Sequence, residues 1–303
     1  MSPAGVSDLL VRGPWSHALV SANGSRFHVA ECRGDGAVGP MVLFLHGFPE
    51  FWWAWRHQLP AVAATGRRAV AMDLRGYGAS DKTPRGYDPF TAAADVSGVI
   101  RSLGETSAVL VGHGWGGFVA WSTAVLAPRE VRGLAAVSAP HPLQLVRPAT
   151  HRLETLRQVG LFQLPIVPER HLLARDGAAV ERMLRAWSGP GGFPDAEASR
   201  RYRAALQVWP APHCALEYHR WLVRSRLRSD GRRYAARMRE PVAVPVLQVD
   251  GSHDTATRPG TLPPPGLVTG PFRYDVLTTA GHFPHEETPD LFNQVLLSWL
   301  ATV

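Results

Sequence analysis

With 303 residues, 45% of them hydrophobic, the chain can bury a large core, which excludes an intrinsically disordered protein. The formal net charge is +7, but the basic residues are scattered among apolar segments and all but Lys82 are arginine; this reads as GC-rich codon usage, and neither nucleic acid nor a membrane surface is expected as a partner. Two cysteines, Cys32 and Cys214, are too few for a disulfide framework or a metal site, no run approaches the ~18 apolar residues of a membrane span, and the first residues do not read as a secretory leader, so a cytoplasmic protein is expected.

"HALVSANG" (17–24) and "RFHVAEC" (26–32) alternate around an Asn-Gly turn and predict an antiparallel pair. "MVLFLHG" (41–47) is a short apolar strand, followed by a Trp-rich segment, 49–65, with helical character. "RRAVAMDLRGYG" (67–78) repeats the strand and turn, 90–103 is helical, "SAVLVGHG" is a strand, "GGFVAWSTAVLA" a helix and "VRGLAAVSAP" (131–140) the next strand. Apolar strands separated by helices imply a parallel sheet wound right-handedly. From 141 to 238 the pattern changes to Arg-rich amphipathic helices broken by "GPGGFP" (189–194). Strands resume at "VPVLQVDGSHD" (244–254) and "FRYDVLTTAGHF" (272–283), and "TPDLFNQVLLSWL" closes as a helix. The expected organisation is a core of residues 1–140 and 239–303, with a helical cap, 141–238, over the strand ends where such folds bind ligands.

"GHGWGG" (112–117) follows a strand and opens a helix, the context of a nucleophile elbow, yet its tip is Gly114. Together with "HGFPEFWWAWRHQLP", "DLRGYGASDK", "GSHD" and "GHFPHEE", in that family's order, the chain resembles the α/β-hydrolase superfamily over nearly its whole length, within it the epoxide hydrolases and their dehalogenase relatives. The resemblance implies a mostly parallel eight-stranded sheet with helices on both faces. It implies His282 as general base, Asp254 as its orienting carboxylate, the backbone N–H groups of Phe48 and Trp115 as an oxyanion hole, and a cis peptide before Pro49.

The departures from the family concern the nucleophile and the groups that activate the electrophile. Epoxide hydrolases carry a nucleophilic Asp at the position of Gly114, and glycine has no atom that can attack. Their two cap tyrosines align with Gln158, in "RQVGLFQLP", and with His219, in "ALEYHRW", where a one-residue slip gives Tyr218 instead. Ser122 lies two helical turns on from the tip, Ser138 at a strand end reads as a hydrogen-bonder, and His113 is expected to point away. His46 is expected to fix its own loop, and Glu50 and the cap arginines to be solvated. Trp53, with Trp52, Trp55, Trp115 and Phe48, suggests aromatic walls and a flat apolar or aromatic small-molecule substrate.

The leading expectation is a cofactor- and metal-independent enzyme in which His282 and Asp254 act as a general base for addition, cyclisation, C–C bond formation or elimination on a natural-product-like aromatic substrate. Three further readings stay open at this point: a hydrolase whose His282 activates water directly, a ligand-binding protein without turnover, and an engineered Gly114. A homodimer is compatible with the sequence and not specified by it.

Overall fold

The apolar runs that alternate with helices build one eight-stranded sheet in the order β1-β2-β4-β3-β5-β6-β7-β8: β1 (Ser16–Ala22), β2 (Ser25–Arg33), β3 (Met41–Leu45), β4 (Arg68–Met72), β5 (Ala108–His113), β6 (Val131–Val137), β7 (Val246–Gly251) and β8 (Phe272–Leu277). The structure, a computed structural model, describes residues 5–34, 36, 39–145 and 153–303, with the backbone alone for 153–156 and 158. β1 and β2 are antiparallel, as is β2 to β4, and every other pair is parallel. The Asn23–Gly24 turn pairs Ala22 with Ser25, both turn residues having positive φ, 45° and 72°. That is the backbone an Asn-Gly hairpin favours.

β3, β5 and β7 are buried along their whole length, β3 being apolar on both faces, whereas the edge strand β1 is mostly exposed. The helices are α1 (Gln58–Ala63), α2 (Pro89–Ser102), α3 (Trp115–Leu126), α4 (Pro142–Leu145), α5 (Leu153–Phe162), α6 (Val167–Trp187), α7 (Ala196–Gln207), α8 (Ala211–Arg224), α9 (Ser229–Arg237), α10 (Pro284–Glu287) and α11 (Pro289–Leu300). Asp88 starts α2 by accepting from the N–H groups of Phe90 and Thr91, with Pro89 at the first position. The core between sheet and helices holds Phe44, Trp52, Trp55, Trp121 and Phe292, all fully buried. Among the described residues no helix is long and apolar enough to cross a membrane.

Helices α4 to α9 all fall between β6 and β7, and α5 and α8 contribute side chains that face the loops at the C-terminal ends of the strands. Those loops, after β3, β5, β6, β7 and β8, converge on one cavity. An open sheet of this kind offers its strand ends to ligands.

Candidate active site

His282 and Asp254 follow the last two strands, which are neighbours in the sheet. Their loops bring Nδ1 of His282 within 2.9 Å of Oδ2 of Asp254, both side chains being buried. Burial pushes the Asp254 carboxyl up, but the His282 ring and the Thr257 hydroxyl and N–H outweigh it and hold the group below its usual range. The Asp254 carboxylate also accepts the Ala256 and Thr257 N–H groups, each at 2.8 Å. A carboxylate opposite Nδ1 keeps the proton on that nitrogen and leaves the Nε2 lone pair free.

The space Nε2 faces lies above Gly114. A Cβ built on Gly114 would lie 3.6 Å from His282 Nε2 and 3.7 Å from Gly47 Cα, so a side chain would fit there. The backbone at Gly114 has φ 49° and ψ −113°, a conformation L side chains rarely adopt. The turn is held tight by close packing around it, since a Cβ on Gly116 would lie 2.0 Å from the Leu45 carbonyl oxygen. Phe48 and Trp115 line the same space, and among the described residues neither backbone N–H has a hydrogen-bond partner. The Phe48–Pro49 peptide is cis, as expected.

The cavity measures about 320 Å³ and its wall is chiefly apolar and aromatic, with Phe48, Trp115, Phe118, Phe162 and Trp187 around His282. His219 lines it as well, stacked edge-on against Phe48, Trp115 and Phe162 with centroids 4.8–5.0 Å apart. Tyr218, one residue away on α8, turns to the other side and donates its hydroxyl to the Arg75 carbonyl at 3.0 Å. Trp53 is not brought to the cavity either: it is buried against Tyr202 and covered by the Arg56 guanidinium, 3.6 Å from the ring centroid. The Gln158 side chain lies outside the described residues.

Glu50 is placed differently from the solvated position the sequence suggests. Glu50 is fully enclosed, because the loop after β3 folds inward and His113 and His285 supply its partners, at 2.7 and 3.1 Å. His46 does fix its loop: Nδ1 donates to the Gly47 carbonyl and Nε2 accepts from the Leu74 N–H. Ser122 is tied to the Phe118 carbonyl and the Tyr234 hydroxyl. Ser138 lines the cavity with φ 47°, and its buried hydroxyl has no partner among the described residues. Trp187, which sequence reasoning did not single out, packs its ring on His282, with centroids 5.6 Å apart, and accepts the His282 N–H at 2.8 Å through its carbonyl. Its only local signal is its place just before the "GPGGFP" break that ends α6.

Residues 40–289 match the family model described as alpha/beta hydrolase fold. The chain is 32% identical to epoxide hydrolase 3 of Xenopus tropicalis over 95% of its own length and 78% of that protein's. It is 30% identical to epoxide hydrolase A of Mycobacterium tuberculosis, over 95% of this chain and 98% of that one. Among solved structures, epoxide hydrolase A from Mycobacterium thermoresistibile superposes with a TM-score of 0.79 at 28% identity, covering 95% of this chain and 98% of the other.

Proposed function

From the premise that this chain belongs to the α/β-hydrolase fold family and is epoxide-hydrolase-like, we propose that it is an enzyme of noncovalent general-base chemistry, with Gly114 standing where the family's nucleophile would be. In this reading residues 1–140 and 239–303 form the catalytic core and 141–238 the cap. The observation that carries it is the Nε2 of His282, directed at the space over Gly114 beside two N–H groups, all three without a partner among the described residues.

His282 Nε2 takes a proton from a substrate C–H or O–H, and Asp254 stabilises the imidazolium that results. The oxygen that gains negative charge accepts from the Phe48 and Trp115 N–H groups. Return of the proton to another atom completes an addition, cyclisation, C–C bond formation or elimination, with no covalent enzyme intermediate. A positioned base contributes ~10²–10⁴-fold, and an oxyanion-hole donor ~10²–10³-fold. The aromatic wall favours a flat apolar substrate, and the chemistry calls for no cofactor or metal. Exchange of the α-protons of 2-tetralone in D₂O, compared between wild type and His282→Ala, tests this.

The names of the relatives favour a second reading, in which His282 activates water for attack on an epoxide. Against it stands the absence of any tyrosine among the described cavity residues to protonate the departing oxygen. Turnover of styrene oxide in ¹⁸O-water with label in the diol would support the second reading and count against the first.

A further inference from the structure

The loops that carry the site also hold a polar cluster that the proposed reaction does not use. Glu50, His113 and His285 are wholly buried beneath the His282 loop and come from three places: the loop after β3, the end of β5 and α10. Glu50 Oε2 is 2.7 Å from His113 Nδ1 and accepts the Gly47 N–H at 2.9 Å. Glu50 Oε1 is 3.1 Å from His285 Nε2. On the far side of its ring, His113 Nε2 lies 2.8 Å from the backbone carbonyl oxygen of His282.

Both nitrogens of His113 therefore face atoms that can only accept, a carboxylate oxygen and a carbonyl oxygen. A neutral imidazole has one N–H and would leave a lone pair against one of them, a mismatch that is costly away from water. Two protons satisfy both contacts, and Glu50 supplies the countercharge. Burial works against the charged ring, but Glu50 prevails and His113 is raised above the usual histidine range, while Glu50 is held well below that of a carboxylate. His285 goes the other way, lowered by burial, and its Nε2–H serves Glu50. The ionisable groups around His113 are Glu50, His285 and His282, with His46 and Asp254 farther off.

We propose that His113 is a buried imidazolium and the positioning residue of the site, its Nε2–H pinning the carbonyl of His282 so that the base stays between Asp254 and the space over Gly114. His282 is then held at three points: its carbonyl by His113, its N–H by Trp187 and its Nδ1 by Asp254. The positioning role rests on the reading of His282 as the base, whereas the charge state of His113 does not.

The test uses the full chain and two double variants, so that neither leaves Glu50 buried without its cation. In wild type, ¹⁵N NMR of the His113 ring shows two protonated nitrogens at a pH just above the ordinary histidine range, where a free imidazole carries one. The variant Glu50→Gln/His113→Gln keeps an N–H donor towards the His282 carbonyl, and Glu50→Gln/His113→Phe removes it. The Nδ1–H resonance of His282, shifted downfield by Asp254, persists in the first and broadens away in the second. For 2-tetralone exchange, kcat falls at least tenfold in the Phe variant with KM within threefold, and the Gln variant recovers most of it. A singly protonated His113 in wild type, or equal loss in both variants, or no loss in the Phe variant, overturns the proposal. If wild type itself exchanges no faster than His282→Ala, the base reading fails, and the His282 resonance in the two variants still decides whether His113 positions that ring.

Discussion

The indole Nε1–H of Trp115 donates to Nε2 of His219 at 2.8 Å, and the opposite nitrogen of that imidazole donates to the Ala215 carbonyl at 3.1 Å. His219 is thereby fixed as the Nδ1–H tautomer, and burial lowers it to about 4. It faces the cavity, yet it has neither a free proton to give nor a free lone pair. His219→Leu is expected to leave 2-tetralone exchange within about threefold of wild type, because the residue is wall and not acid. The same change orphans the Trp115 N–H, at about 1 kcal/mol, which lowers Tm by roughly 2–3 °C in a chain of this size. Steady-state kinetics and a thermal scan check both; a loss of exchange beyond tenfold contradicts the assignment.

Gly114→Asp places a carboxylate in space that is sterically open, with first contacts at 3.6 and 3.7 Å, but on a backbone with φ 49°. The strain costs roughly 1–3 kcal/mol. The new carboxylate pairs with His282 and fills the position from which the base reaches its proton. Exchange of 2-tetralone is expected to fall at least ~100-fold, while intact-mass spectrometry after incubation with styrene oxide shows one epoxide added. Exchange at the wild-type rate contradicts the position assigned to the substrate.

Stability should fall well before the carboxylates titrate. His57, His141 and His219 are each lowered to about 4, first of all by burial. The unfolded chain takes up these protons near pH 6.5, whereas the folded chain refuses them until about pH 4, so their contribution is complete above 6.5 and lost as pH falls from 6.5 to 4. For His141, wholly buried, this is on the order of 3 kcal/mol. Asp254, Asp73 and Glu50 are depressed, and their contribution is lost only as pH falls below the ordinary carboxylate range. His113 is raised and opposes the trend, contributing fully below 6.5. Urea midpoints at pH 7.5, 5.5 and 4.5 should decrease in that order; equal midpoints contradict the account.

Much of the fold is legible because its determinants are local. The Asn23–Gly24 hairpin, the apolar strands and the glycine-rich turn at 112–117 each declare themselves within a few residues, and His282 and Asp254 follow recognisable strands. Glu50 does not declare itself, because a glutamate in a Pro-containing loop looks solvated until His113 and His285, 63 and 235 residues away, close around it. Tyr218 and His219 differ by one step of about 100° around α8, so the sequence leaves open which of them faces the cavity and the packing of the helix decides. Trp53 looks like pocket wall among aromatic neighbours, but the Arg56 guanidinium and Tyr202 enclose it elsewhere.

The most direct measurement is α-deuteration of 2-tetralone in D₂O followed by ¹H NMR with wild type and His282→Ala side by side. With His282 as the base over Gly114, wild type exchanges the α-protons at least ~100-fold faster than the variant, whose rate matches buffer. Equal rates in the two proteins, with the variant folded by circular dichroism, would contradict the assignment of His282 as the base.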